Sequence, residues 1–372
     1  MHSTNHRLPA AAMALVVAPL IATGCTSLRP KPAAIEHVFI IVLENKGYDT
    51  TFRVGTDAPY LADTMVKRGA LLRQYYGIGH FSLGNYIAMI SGMAPTVQTQ
   101  SDCVHFDDFV ETGVAPDSQP IGSGCVYPPH VQTIANQLMA THRTWKGYME
   151  DMGKDPARES ARCGHAAIGQ IDPTEGASRN DQYAAKHNPF VYFHAIIDSA
   201  PCQENVVPLT ELETDLRSID QTPNYVFIAP NLCHDGHDQP CVSDEPGGLV
   251  SASEFLRHWV PIITSSPAFR ANGLLIVTFD ESIGLDATAC CNEPTGPNTK
   301  SPGWNGPGGG RIGAVLISPF IEPGTVSDVP YNHYSLLRSI EDIFNLPHLG
   351  YAGVPGLRPF GEDVYTRRGS AP

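Results

Sequence analysis

The stretch His37–Leu43, HVFIIVL, most constrains what this chain can become. It is a continuous apolar run, rich in β-branched residues and bounded by polar ones. Such a run reads as a strand buried on both faces, which is how strands sit inside a parallel sheet. Similar runs recur at 224–229, Gly273–Phe279 and 312–318, with a shorter one at 144–148. Between them, segments 58–70, Ser82–Ser91, 131–140, 252–263 and 335–344 have helical spacing. Gly69 closes the first, and Ser82 stands where it can cap the second. Strands alternating with helices predict an α/β fold with a mainly parallel central sheet. The short run 190–193 reads as a strand or a helix start. Segments 95–130, 150–188 and 284–310 read as polar, irregular excursions, and the tail from Gly350 is Pro-rich. With no internal repeat and no linker, 36–372 is expected to form a single catalytic domain.

Composition narrows the function. Of 372 residues 42% are hydrophobic and 17% charged, which suits a sizeable globular core. A formal net charge of -14 disfavours nucleic-acid binding, because the protein's field repels the phosphate backbone. A phosphorylated small molecule or lipid remains compatible, since a bound cation reverses the field locally.

The N-terminus carries Arg7 followed by an apolar stretch from about Pro9 to Ala22, too short for a permanent span and shaped as a secretion signal. Ala22-Thr23-Gly24-Cys25 resembles a bacterial lipobox, although Leu is preferred where Ala22 stands. Residues 1–25 are read as a signal peptide and 26–35 as a tether. Lipidation of Cys25 is favoured over ordinary cleavage nearby and over an uncleaved anchor. Ser27 then directs the lipoprotein to the outer membrane of a Gram-negative cell. The expected location is exported: periplasmic, anchored to the outer membrane, or secreted. Eight further cysteines suggest up to four disulfides, with Cys103–Cys125 and Cys233–Cys241 as local pairings. No CxxC spacing supports a zinc-thiolate site.

In open α/β sheets, sites gather beyond the carboxyl ends of the strands. That rule selects Glu44 and Asn45 after the first strand, Asn231, His234, Asp235, His237 and Asp238 after 224–229, and Asp280 and Glu281 after Gly273–Phe279. His333 precedes the last helix. Adjacent carboxylates repel unless a proton or cation offsets them, and carboxylate with imidazole suits Zn, Fe, Mn, Mg or Ca. Each feature alone has a plainer explanation: a helix cap for Ser82, a solvated loop for the acidic pair, an exposed loop for the histidines. The glycines of 306–310 are not followed by GK[ST], so they read as a flexible loop and not a phosphate loop. No GxSxG elbow points to an esterase.

Together, the segments HVFIIVLENKGYD (37–49), GHFSLGNYIAMISG (79–92), NYVFIAPNLCHDGHD (224–238), LLIVTFDE (274–281) and GAVLISPFIEPGTVSDVPYNHYSLLRSIEDIFNLPHLG (313–350) resemble the bacterial phosphoesterase family of the alkaline phosphatase superfamily. That family includes secreted acid phosphatases and phospholipase C type enzymes. The resemblance spans about 36–350 and implies a three-layer alkaline-phosphatase-like fold. It implies Ser82 as nucleophile, and Glu44, Asn45, Ser82, Asp280 and Glu281 as the shell of one divalent metal, with a second metal in some members. By the same resemblance Asn45 and Asn85 contact the phosphoryl group. Asp235, His237 and His333, with His234 less closely matched, bind phosphate or a second metal, and His237 or His333 protonates the leaving group. Were those imidazoles required charged, the pH optimum would fall near or below about 6.5.

Two departures stand out. Glu281 replaces the His that follows the Asp in two-zinc members, which puts a two-zinc site in doubt, and Gly84 stands where relatives often have Pro. The large C-terminal region of long phospholipase C type members is lacking, which moves the expectation towards monoesters. The expected activity is metal-dependent hydrolysis of phosphate monoesters through a phosphoserine. Its rivals are a phosphodiesterase or phospholipase C, a sulfatase (disfavoured because SLGNY at Ser82 lacks C/S-x-P-x-R), and a noncatalytic surface-binding lipoprotein.

Overall fold

The computed structural model describes residues 1–2 and 35–367. The signal, lipobox and tether readings at 3–34 lie outside the described residues. Residues 35–367 are built on an eight-stranded sheet. In chain order its strands are β1 His37–Leu43, β2 Ala70–Leu72, β3 Trp145–Met149, β4 Val206–Pro208, β5 Tyr225–Ala229, β6 Gly273–Phe279, β7 Ala314–Ile317 and β8 Thr325–Ser327. Their order across the sheet is β8-β2-β7-β6-β1-β5-β3-β4. The pairs among β6, β1, β5, β3 and β4 are parallel, as is β8 with β2, while β7 runs antiparallel to both β6 and β2.

Every residue of β1, β5 and β6 is buried, so both faces of the sheet are covered. The principal helices are α1 Ser82–Ser91, α2 Ile134–Ala140, α3 Gly248–Ser265, α4 Pro267–Asn272 and α5 His333–Phe344. Phe39 packs against Phe269 of α4, while Tyr86 of α1 packs against Phe227. Phe227 is in register with Ile40, the neighbour of Phe39. Successive strand residues point to opposite faces, so α4 and α1 cover opposite sides of one sheet. This gives helix, sheet and helix in three layers.

Local rules explain the boundaries. Helix α2 begins at Ile134, later than the apolar pattern suggests, because Thr133 and Asn136 form a reciprocal cap. The 58–70 segment narrows to helical turns over Tyr60–Met65 and Val66–Arg68 and stops at Gly69. The run at 190–193 is a short helical turn, Pro189–Tyr192. Disulfides join Cys103 to Cys125, Cys163 to Cys202, Cys233 to Cys241 and Cys290 to Cys291. The first three close loops of the irregular segments, while the fourth links adjacent residues. The glycines of 306–310 are not the loose loop expected: Gly308, Gly309 and Gly310 donate backbone hydrogen bonds to Ala287, Gly77 and Thr288.

Candidate active site

Register brings the site together. Leu43 pairs with Phe279, and Ile41 with Ile228. The carboxyl ends of β1, β6 and β5 therefore lie side by side, and Glu44, Asp280 and the 231–238 loop emerge at one edge. The Asn45 N–H donates to Asp280 Oδ1 at 2.9 Å, and the Glu44 N–H to the Asp235 carbonyl at 2.8 Å. Glu44, Asp235 and Asp280 are fully buried.

Helix α1 supplies the hydroxyl. Phe81 precedes it at φ 73°, a left-handed conformation that is costly for a bulky residue. The elbow makes Ser82 the first helical residue, not the expected cap. Phe81 holds the capping position with no side-chain hydrogen bond, and Asp102 Oδ1 accepts from the Leu83 N–H at 3.1 Å. The Ser82 hydroxyl is thus free to donate to Glu44 Oε2 at 2.7 Å. Glu44 also accepts from Tyr86 at 2.6 Å and from the Asn45 amide at 3.0 Å.

Beside these groups is a cavity of about 460 Å³ whose lining includes Asn45, Ser82, Asp102, Lys186, His187, His237 and Glu281 together with Phe81, Ile283, Leu285 and Trp304. His187 is buried and stacks on Tyr86 at 5.2 Å. Its Nε2 lies 3.4 Å from Glu44 Oε2 and its Nδ1 3.8 Å from Asp235 Oδ2. Lys186 Nζ is 3.0 Å from Glu175 and 3.5 Å from Asp102. Burial works against the Lys186 charge, but those two carboxylates outweigh it and raise its pKa.

The electrostatics call for a cation. Burial, then repulsion from Asp280 and Asp235, pushes Glu44 well above the usual carboxylate range. Burial and Glu281 do the same to Asp280, burial and Asp102 to Glu281, and burial chiefly to Asp235. Burial, with Lys186 and His237 nearby, drives His187 far below its ordinary value, and burial lowers His237. Asp235 Oδ2, Asp280 Oδ2 and both His187 ring nitrogens are buried without a hydrogen-bond partner. Such orphans are rare in native interiors unless an ion or water meets them. Hard carboxylate oxygens beside a neutral imidazole fit a divalent cation.

Three expected ligands sit elsewhere. Asn85 is fully buried and does not line the cavity. Its Oδ1 accepts from the N–H groups of Ile78 and Gly79, and its amide donates to Gly79 O and Glu281. With its hydrogen bonds used there, it shapes the turn before Ser82 and holds Glu281 instead of touching phosphate. His333 is likewise saturated, with Nε2 on the Asp280 carbonyl at 2.6 Å and Nδ1 on Tyr75 at 3.2 Å. It braces the acidic turn and cannot reach a leaving group. His234 lies between Glu150 and Glu245 at 2.9 and 3.2 Å, in a second cavity with Phe255 and Trp259. Asp235 is a buried carboxylate facing His187, a poor contact for phosphate and a good one for a cation.

Atoms of Cys233, His234 and Glu245 also lie within 4.8 Å of one another. Cys233 is disulfide-bonded to Cys241, so this group offers no thiolate. Lys186, His187 and Asp102 were not picked out from sequence. The legible signal was a Lys-His pair set against Asn188-Pro189 just before an apolar run. His80 Nδ1 lies 3.2 Å from Glu281 Oε2 and fixes that side chain together with Asn85.

The chain is similar to the probable acid phosphatase of Kluyveromyces lactis, 25% identical over 86% of this chain and 60% of that protein. It is 26% identical to the phosphate-repressible acid phosphatase of Penicillium chrysogenum over 77% of this chain and 54% of the relative. It therefore spans little more than half the length of these fungal proteins. The phosphatidylinositol-3-phosphatase of Mycobacterium tuberculosis is 22% identical, over 85% of this chain and 79% of that one. Among solved structures, an alkaline phosphatase superfamily protein from Vibrio parahaemolyticus aligns with a TM-score of 0.49 and 12% identity, over 89% of this chain and 72% of that one. Residues 54–347, most of the chain, match the phosphoesterase family model, and the chain belongs to the phosphoesterase family.

Proposed function

We propose that this protein hydrolyses phosphate monoesters, with Ser82 as nucleophile in a divalent-metal site. One observation carries the reading: the Ser82 hydroxyl, freed from capping, faces the buried Glu44 carboxylate at 2.7 Å, beside Asp235 Oδ2 and Asp280 Oδ2, which are buried without a hydrogen-bond partner. Glu44, Asn45, Ser82, Asp280 and Glu281 would hold the metal, with Asp235 and His187 available to it or to a second ion. When bound, the ion offsets the carboxylate charge, lowers the pKa of the Ser82 hydroxyl and polarises the phosphoryl oxygens.

This chain's own residues do the rest. Ser82 Oγ attacks phosphorus, the ester P–O bond breaks and the alcohol departs with a proton. Water then attacks the phosphoserine, breaks the Oγ–P bond and releases phosphate. Lys186, anchored by Asp102 and Glu175, presents a fixed positive charge to the phosphoryl oxygens. His237 lines the same cavity, and because burial favours its neutral form it takes the Ser82 proton and passes it to the departing alcohol oxygen. Such fixed charges, positioned in advance, supply most of the rate gain in phosphoryl transfer.

Four disulfides favour an oxidising compartment, which supports export. No helix among the described residues is long and apolar enough to cross a membrane. The proposed membrane contact is a lipid on Cys25.

The test is release of p-nitrophenol from the monoester and the bis ester by wild-type, Ser82→Ala and chelator-treated protein. Monoester turnover lost in the latter two supports the proposal. A preference for the diester would replace it with phosphodiester hydrolysis, and turnover by Ser82→Ala would remove Ser82 from the chemistry.

A further inference from the structure

The lining of the catalytic cavity is of two kinds. Asn45, Ser82, Lys186, His187, His237 and Glu281 are charged or polar and suit the phosphoryl group. Phe81, Ile283, Leu285 and Trp304, interleaved with Ser282 and Asn305, are apolar. Three of these are large and open to solvent, with relative exposures of 54% for Ile283, 85% for Leu285 and 60% for Trp304.

Single exposed apolar residues are common on any protein surface. Three converging on the mouth of a reactive cavity call for an occupant. Trp304 is held in place, its ring 4.9 Å from that of Phe81, the residue whose strained backbone sets Ser82. The platform is thus coupled by direct contact to the nucleophile's elbow. The loop beneath it is pinned as well: Gly308 donates to Ala287 at 3.1 Å and Gly310 to Thr288 at 2.9 Å. A pinned, solvent-exposed aromatic with aliphatic neighbours is a preformed contact surface, since its ordering entropy is lost before any ligand arrives.

Resting on the reading that Ser82 attacks phosphate esters, we propose that Phe81, Ile283, Leu285 and Trp304 form a subsite for an apolar leaving group. The preferred substrate class is then a phosphate monoester of an aryl or long-chain alcohol, taken up as a single molecule. Phosphorus at Ser82 places the phosphate against the polar residues, and the alcohol side of the ester is the part left to meet the apolar ones. The chain's net charge of -14 gives no general attraction to anionic surfaces, which favours a monomeric ester over docking on an anionic membrane.

The test uses 4-alkylphenyl phosphates from methyl to hexyl, whose leaving-group acidity is nearly constant, each assayed below its aggregation concentration. Wild-type kcat/KM should rise about 2-fold per methylene, roughly half the gain of full burial on this open surface, and mainly through KM. Trp304→Ala, and separately the pair Ile283→Ser with Leu285→Ser, should flatten that slope while inorganic phosphate still inhibits as it does the wild type. That retained inhibition shows the polar lining is intact and the variants are folded. A flat slope in the wild type, with every ester still turned over, overturns the subsite and leaves the serine phosphatase standing. Turnover that appears only above the aggregation concentration overturns it in favour of docking on a lipid surface. No turnover of any ester, alongside an inert Ser82→Ala control, removes both readings.

Discussion

Replacing Asp280 with Asn tests the cation argument directly, without relying on turnover. Asp280 Oδ1 accepts the Asn45 N–H at 2.9 Å, while Oδ2 has no hydrogen-bond partner. Asn conserves the shape and can keep the first contact, but it replaces the orphan anionic oxygen with a neutral amide. In wild-type protein stripped by chelator, the crowded carboxylates oppose folding. A divalent ion at 100 times its dissociation constant adds about 2.7 kcal/mol of stability. Unfolding entropy of about 2.1 cal/mol/K per residue, over the roughly 330 residues of 35–367, gives about 0.7 kcal/mol per degree. The expected rise in Tm is therefore about 4 °C.

Asp280→Asn should lose most of that rise. Its metal-free Tm should instead exceed that of metal-free wild type by about 1–3 °C, because one buried carboxyl leaves the cluster. The assay is differential scanning calorimetry in chelator, then with Zn, Mn, Mg or Ca added back. Identical wild-type melting with and without each ion would refute a cation site here. A full metal-dependent rise in Asp280→Asn would show that the ion binds without this carboxylate.

Other outcomes follow from particular contacts. Ser82→Ala should reduce phosphomonoester turnover at least about 10⁴-fold, as removal of a nucleophile does, yet keep part of the metal-dependent rise in Tm, because Glu44, Asn45, Asp280 and Glu281 remain; stopped assays and calorimetry on the same sample check both. His234→Gln should leave p-nitrophenyl phosphate kinetics within about 2-fold of wild type, because His234 lies with Glu150 and Glu245 in the second cavity. A larger fall in kcat/KM would bring that loop back into the site. Glu341 is pushed up to about 9 by burial, with Leu349 N–H donating to one oxygen at 2.8 Å. In the unfolded chain it ionises above about 4.3, so stability at this residue is full below that value and declines as pH rises towards 9. Glu341→Gln should remove that decline and raise stability at pH 7 by at most about 4 kcal/mol; denaturant midpoints at pH 5 and pH 8 would show it.

Much of the site was legible because strand ends are legible. A buried parallel strand announces itself as an unbroken apolar run, and the first polar residue after it must lie at the sheet's edge. Glu44, Asn45, Asp280 and Glu281 were found that way. Asn85, His234 and His333 mislead for one shared reason: polar residue types in plausible order do not say whether their atoms are already used. Asn85 spends its amide on the 78–81 turn, His333 on the Asp280 carbonyl and His234 on two glutamates. Lys186 and His187 were hidden because 150–188 has no periodicity, and a chain excursion's landing place depends on what it packs against.

By itself the sequence determined the class of fold, five of the eight strands that build it and the acidic residues at the ends of two of them, because apolar periodicity and burial are nearly local properties. It also held two of the four disulfide pairings, Cys103–Cys125 and Cys233–Cys241, though not the adjacent pair Cys290–Cys291. Only tertiary structure decided that β7 runs antiparallel, that the Phe81 elbow turns Ser82 from a cap into a free hydroxyl against Glu44, and that Lys186 and His187 close the cavity from more than 100 positions away. Those outcomes depend on register and on which hydrogen bonds remain unfilled, and neither exists until the layers pack.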